Sequence, residues 1–368
     1  MTAGEEVAVK LDRIRGWLEK SGASGVLLSS QAGFAWITAG GRSHISIGES
    51  TGVASVLVTR ESAWVITTNI ELHRILDEEL PGLPFETLEY PWHRSGGQRQ
   101  AVDRLCDMDR AVADVAGGDL ASAGPEFDEL RYTMLPPEVE RYLGLGRDAA
   151  SAVEAACHAA EPGESELDVA ARLSFECYRR DILPLVNLVA AGDRIARYRH
   201  PIPTTNRVDG TLLVALTGRR HGLHASLTRM VSFGRPDAEL ASRHDAVTRV
   251  DAREILSSTP GTSLGAVVRG AIEQYNREGF PGEWELHHQG GLTGYAGREI
   301  FGTPETDYRL RANQVVAWNP SITRVKSEDT VLVGGDGVEV LTSTGAWPTC
   351  QVEVEAGTLE RPALLIKS

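Results

Sequence analysis

Two adjacent prolines, Pro136 and Pro137, constrain this chain more than any other feature. Proline has no backbone N–H and a fixed φ, so neither residue belongs in a helix interior, whereas Pro137 suits a first helical position. A long helix is expected to follow, over about 138–160, until Pro162-Gly163 stops it. The prolines also mark a boundary. Two domains are expected, 1–133 and 134–368, and 368 residues are enough for both.

In the first part, Leu11, Ile14, Trp17 and Leu18 recur at helical spacing, and Ser21-Gly22-Ala23-Ser24-Gly25 ends that helix. Val26-Leu27-Leu28 reads as a buried strand, 53–59 and 63–68 as paired strands, and 70–79 as a helix. Alternating helix and strand predict an α/β domain with a mixed sheet. In the second part, a helix over about 166–180 is followed by strands at 185–190, 212–216 and 222–231. A helix at 263–276 and strands at 314–318, 330–333 and 338–341 complete the pattern.

Charge narrows the partners. The formal net charge is −14, and phosphate binding needs a cationic face, so neither nucleic acid nor an anionic membrane is expected. No apolar run reaches the roughly 18–20 residues of a membrane span, and the polar start of the chain has no apolar signal core. Cys106, Cys157, Cys177 and Cys350 show no CxxC spacing and read as reduced structural thiols in a cytoplasmic protein. The chain has no GxSxG elbow, no phosphate loop and no GxGxxG spacing.

The run Leu213-Val214-Ala215-Leu216-Thr217 with His224-Ala225-Ser226-Leu227-Thr228-Arg229 resembles the central strand pair of the pita-bread family, which includes Xaa-Pro aminopeptidase, prolidase and creatinase. Ala317-Trp318-Asn319-Pro320 resembles that family's Ile-Glu-Pro-Gly turn, and Lys326-Ser327-Glu328-Asp329 its last ligand strand. Leu11 to Leu18, Gly25 to Leu28 and Phe34 to Gly40 resemble the creatinase/prolidase N-terminal domain. The fold class implied is α+β: a C-terminal pita-bread domain preceded by a smaller α/β creatinase-like N-terminal domain. The metallopeptidases carry Asp where Ala215 and Ser226 stand and Glu where Asn319 stands, so only Glu328 keeps a ligand carboxylate. A dinuclear site needs several anionic oxygens. The expectation is therefore no metal and no cofactor.

The resemblance also points to the working residues. His200 lies where the family places a histidine before its first ligand strand; in creatinase, which works without metal, that histidine transfers protons. An imidazole suits the task because its ordinary pKa lies near neutrality. Leu286-His287-His288-Gln289-Gly290-Gly291 falls at the family's His-Gly-x-Gly ligand strand, matched by His288 with Gly291 or by His287 with Gly290. In an extended strand these two face opposite sides, so one of them is expected to reach the site. The family's second histidine, seven residues on, is Ala296. The candidates are His200, His288 and Glu328 as catalytic residues, and His287, His224, Tyr295, Arg298, Arg42, Asn319 and Ser226 as substrate-binding residues. Arg229 reads as a structural ion-pair residue and Glu339 as part of a hairpin after Asp336-Gly337.

The function expected is a metal-independent, creatinase-like enzyme acting on a small polar, amino-acid-like or amidino metabolite, by C–N hydrolysis or a lyase-type proton transfer. A carboxylate freed from metal can bind a guanidinium or ammonium group. Two alternatives stay open: a non-catalytic pseudoenzyme that binds a peptide or small ligand, and a hydrolase with one metal on His224, His288 and Glu328. The resemblance further implies a homodimer, in which Arg42 reaches the partner's substrate.

Overall fold

The structure is a computed structural model and describes residues 1–117 and 119–368. The chain divides into two compact units, one of Met1–Glu138 with His221–Leu223, the other of Val139–Arg220 with His224–Ser368.

In the first unit, the helix Ala3–Ser21 opens on a capping box between Thr2 and Glu5 and ends at Gly22, which takes φ 75°. Its buried face carries Val7, Leu11, Ile14 and Leu18. That face also buries Lys10, whose ammonium is held by Glu6 at 2.6 Å, by Glu138 at 2.9 Å and by the carbonyl of Trp36 at 2.7 Å. A six-stranded sheet is built from β1 (Gly25–Ser30), β2 (Thr51–Thr59), β3 (Ala63–Thr68), β4 (Glu86–Tyr90), β5 (Ala111–Ala113) and β6 (Ala121–Ser122), in the order β4-β3-β2-β1-β5-β6. The β1–β2 and β2–β3 pairs are antiparallel and the outer pairs parallel, so the sheet is mixed as expected. The helix expected over 70–79 is one α-helical turn, Leu72–Arg74, that widens into a π-helical segment, Ile75–Glu79. Only Ile75 of that stretch is buried, so little packing enforces a regular ladder.

In the second unit, the long helix runs Pro136–Ala159. Both prolines lie in its first turn, where a missing N–H costs nothing. The helix Glu166–Tyr178 follows, then β7 (Leu183–Ala191), β8 (Thr211–Arg220) and β9 (Leu223–Phe233). A further helix, Ala238–Ser257, precedes the expected one at Leu264–Arg277. The sequence reading omitted it because its inward face is not an apolar stripe: His244, Asp251 and Glu254 are buried among Leu240, Val247, Val250 and Ile255. Its N-cap, Asp237, which accepts from the amide of Leu240 at 2.7 Å, was the available signal.

The remaining strands are β10 (Gly290–Thr293), β11 (Ile300–Phe301), β12 (Gln314–Trp318), β13 (Ser321–Ile322), β14 (Val325–Lys326), β15 (Asp329–Val333), β16 (Val338–Val340), β17 (Thr349–Val354), β18 (Gly357–Pro362) and β19 (Leu365–Lys367). They complete a five-stranded sheet, β11-β10-β12-β15-β16, and a four-stranded sheet, β19-β9-β8-β7. Arg361, fully buried, joins Asp251 (3.0 Å) to Asp329 (2.6 Å), and Arg229 meets the other oxygen of Asp329 at 3.0 Å. Arg229 is thus a structural ion-pair residue, and Glu339 pairs with Leu332 across the hairpin of β15 and β16.

Candidate functional site

The site assembles where β10 begins. After the helix Leu264–Arg277, a 3-10 turn (Glu283–Leu286) delivers His287 and His288 just ahead of the strand. Gln289 fixes this stretch: its amide donates to the carbonyls of His287 (2.7 Å) and Trp284 (3.0 Å), and it accepts from the hydroxyl of Tyr275 at 3.0 Å. Gly290 and Gly291 then take φ 118° and 145°. A Cβ at either would lie 2.1 Å from a carbonyl of the adjoining strand, so only glycine allows the strands this close.

The expectation that one of the two histidines reaches the site is corrected. Both do, because the regular strand starts at Gly290 and His287 lies in a bend, where alternation of faces does not apply. The rings of His287 and His288 are 4.5 Å apart, and His287 Nε2 lies 3.1 Å from His200 Nε2. A nitrogen from each of the three imidazoles falls within 4.8 Å of the others. His200 and His288 are partly exposed, with their rings set against neighbouring side chains, and His287 is buried. Phe301 packs edge-on against His288 at 5.1 Å.

Asn319 organises the cluster. Arg298 offers donors only, and it lies 2.7 Å from Asn319 Oδ1. That contact sets the orientation of the amide: its NH2 must face the histidines, donating to the carbonyl of His288 at 2.8 Å and to His287 Nδ1 at 3.3 Å. His287 therefore accepts at Nδ1 and carries its proton on Nε2, which donates to His200 Nε2.

Glu328 is buried, 6 % exposed, and is linked to Asn319 through Arg298. Lys326 Nζ sits 2.7 Å from its Oε2, the hydroxyl of Thr228 donates to that oxygen at 2.6 Å, and the Arg298 guanidinium lies 3.7 Å from Oε1. Glu328 as the receptor of a substrate guanidinium or ammonium is thereby corrected, because the protein's own cations already engage it. Lys326 was absent from the sequence candidates. Its spacing of two from Glu328 was the signal, since residues two apart in extended chain share a side.

The other candidates have partners of their own. His224 pairs with Gly294 through its backbone N–H (3.0 Å) and its ring (3.3 Å), and its carbonyl accepts from Tyr142. The Ser226 hydroxyl pairs with Thr217 at 2.9 Å. Tyr295 is buried, with its amide on Glu299 at 3.0 Å. Arg42, in the other unit, is paired with Glu79 at 3.1 Å. Ala215 belongs to an apolar cluster with Leu213, Met230, Val250 and Ile322.

Burial, then the Lys326 charge, lowers His200 below the ordinary imidazole value, with Glu328 opposing. Burial is also the largest cause at His287, pushed down to about 2 with help from Lys326 and its neighbouring histidines, and at His288, pushed to about 4 by Arg298 and Lys326 against Glu328. All three rings are neutral at pH 7. Burial alone would raise Glu328, but Lys326 and Arg298 outweigh it and hold the carboxyl below its usual range. By geometry, three neutral imidazoles could ligate one transition metal ion. The charges around them oppose that: Lys326, Arg298 and Arg199 are three cations, paired with two carboxylates, Glu328 and Glu283.

A model of metallopeptidase family M24 matches residues 145–335. A Xaa-Pro dipeptidase of Pyrococcus furiosus is 26% identical over 231 residues, 59% of this chain and 64% of that protein. This alignment therefore spans a little under two thirds of the relative's length. Among solved structures, a Xaa-Pro dipeptidase from Bacillus anthracis superposes with a TM-score of 0.77 at 18% identity, covering 98% of this chain and all of the other. The N-terminal domain of the FACT complex subunit SPT16 from Cicer arietinum gives 0.70 at 11% identity, covering 92% of this chain and 97% of that one.

Proposed function

Because the chain belongs to metallopeptidase family M24, we propose that it hydrolyses a C–N bond in a small polar, amino-acid-like or amidino metabolite, with His200 as general acid and base and no metal. The observation that carries this reading is the oriented contact of His200 with His287, whose other ring nitrogen is held by Asn319. His200 is partly exposed, neutral at pH 7, and presented by a hydrogen-bonded partner that fixes which nitrogen holds the lone pair.

A pair of divalent ions, which the family's description implies, does not fit these residues. Ala215 lies in an apolar cluster, Ser226 is paired with Thr217, Asn319 gives its only oxygen to Arg298, and Glu328 is neutralised by Lys326. In the proposed reaction, the incoming water displaces the His287 N–H from His200 Nε2, and the freed lone pair takes a proton from that water as the water oxygen bonds to the carbon of the scissile C–N bond. The same proton passes to the leaving nitrogen as that bond breaks, so His200 ends as it began. His288, partly exposed beside Phe301, contacts the substrate. Glu328 acts through Arg298 and Asn319 as a positioning residue.

The test is turnover of a panel of Xaa-Pro dipeptides and amidino amino acids, with chelator and with added Mn²⁺. The expected result is turnover that chelation leaves unchanged and that His200→Ala abolishes while the fold persists. Activity lost to chelation and restored by Mn²⁺ would sink the proposal. A non-catalytic binder is the second reading, supported by the fold likeness to the SPT16 domain, and it is recognised by tight ligand binding with no product. A homodimer in a reducing cytoplasm belongs to the same proposal; sedimentation equilibrium tests the dimer. Among the described residues, no helix is long and apolar enough to cross a membrane, and the four cysteines are unpaired.

A further inference from the structure

Three imidazoles within 4.8 Å of one another form a donor set that would itself attract a divalent cation, and Arg298 and Asn319 link them to a buried carboxylate, Glu328. A carboxylate this buried also needs a counter-charge, because burying an unpaired charge is costly. The structure supplies that charge from within the chain.

We propose that Lys326 is a resident cation: its ammonium occupies the place beside Glu328 that a metal ion would otherwise take, and so keeps divalent metals out of the histidine cluster. Four observations support this. Lys326 Nζ lies 2.7 Å from Glu328 Oε2, at the distance of a direct charge-assisted bond. Both side chains are more than nine-tenths buried, so solvent does not screen the pair. Thr228 donates to the same oxygen at 2.6 Å, which leaves that oxygen no free lone pair for a metal. The Lys326 charge also acts on His200, His287 and His288, so it lies close enough to repel a second cation from all three.

The arrangement is also consistent along the chain. Lys326 ends β14, and Glu328 bridges to Thr228 two residues on, so one short extended stretch carries the cation and the anion on the same side. Asp329, the next residue, faces away into the Arg229 and Arg361 network. That network holds the backbone of the stretch in place without drawing on the Lys326–Glu328 pair.

The experiment measures metal binding, and it does not depend on turnover or on knowing the substrate. Purified wild type, Lys326→Met and Lys326→Arg are titrated with Zn²⁺ and Mn²⁺ by calorimetry, and metal retained after dialysis is counted by mass spectrometry. Wild type and Lys326→Arg are expected to retain substoichiometric metal. Lys326→Met should bind about tenfold or more tightly, because a like charge beside Glu328 has gone, and metal should raise its melting temperature. Adding Glu328→Gln to Lys326→Met should remove the gain. If Lys326→Met proves too unstable to purify, Lys326→Gln keeps a polar head and carries the same expectation. The proposal is overturned by stoichiometric metal in the wild type, or by a Lys326→Met or Lys326→Gln variant that folds and gains no affinity. Failure of the hydrolase reading is seen separately, as absence of His200-dependent product.

Discussion

His287 donates a hydrogen bond to His200 across 3.1 Å, and the direction of that bond is dictated two residues away. Arg298 can only donate, Asn319 must turn its oxygen to Arg298, and its NH2 then leaves His287 Nδ1 no option but to accept. One guanidinium thus sets the proton positions of two imidazoles.

This relay predicts tautomers. Long-range ¹H–¹⁵N spectra of the histidine side chains should show His287 protonated at Nε2 and His200 protonated at Nδ1. Asn319→Asp reverses the demand, because a carboxylate accepts where the amide donated. In that variant His287 should move its proton to Nδ1. A wild-type spectrum with His200 protonated at Nε2 would refute the orientation argued for Asn319.

Removing Glu328 should cost more than removing an ordinary surface acid. Glu328→Gln keeps the shape but leaves Lys326 and Arg298 buried without a counter-charge. Breaking a buried pair from one side typically costs about 3–5 kcal/mol. Urea unfolding should therefore show a loss of that order. An effect of about 0.5 kcal/mol or less would mean that the pair is hydrated and the site far more open than its burial indicates.

Glu254 offers a contrast in sign. It is fully buried, neither of its oxygens has a hydrogen-bond partner, and burial followed by the charge of Asp251 raises its carboxyl well above the usual value. A group raised in the fold contributes stability below its unfolded pKa and loses it as pH rises through the folded value. Glu254→Gln removes that titration and should raise the melting temperature above about pH 5, the more so as pH increases. A variant less stable than wild type at pH 8 would show that the carboxylate is charged and paired.

Several of these residues were legible in the sequence and others were not, for identifiable reasons. The strand pair around Ala215 and Ser226, the Asn319 turn and Glu328 carried the fold through their resemblance to the pita-bread family, because the order and spacing of those segments follow the strands that build the sheet. His287 was misjudged because alternation of faces was applied to a bend. Lys326 was overlooked because attention to carboxylates leaves out the charge that replaces their ligand. The helix Ala238–Ser257 has no apolar stripe because a tertiary ion pair of Asp251 with Arg361, 110 residues downstream, makes a polar residue suitable for a core face. Such pairs have no local pattern to read.

His244 gives the clearest pH dependence of stability. It is buried, and burial followed by the charge of Arg361 pushes its imidazole down to about 4. In the unfolded chain it titrates near 6.5. The unfolded state therefore binds a proton that the native state refuses between those values, so stability is fully present above about pH 6.5 and is lost as pH falls towards 4. The full difference corresponds to about 3 kcal/mol. His287 and His288 titrate low as well, so wild-type stability should fall over the same window. The informative quantity is the difference from His244→Gln, whose packing cost does not change with pH. Urea unfolding at intervals from pH 7.5 to 4 should show the two curves converging as pH falls. Parallel curves would mean that His244 is protonated in the fold, with a partner that the buried helix does not provide.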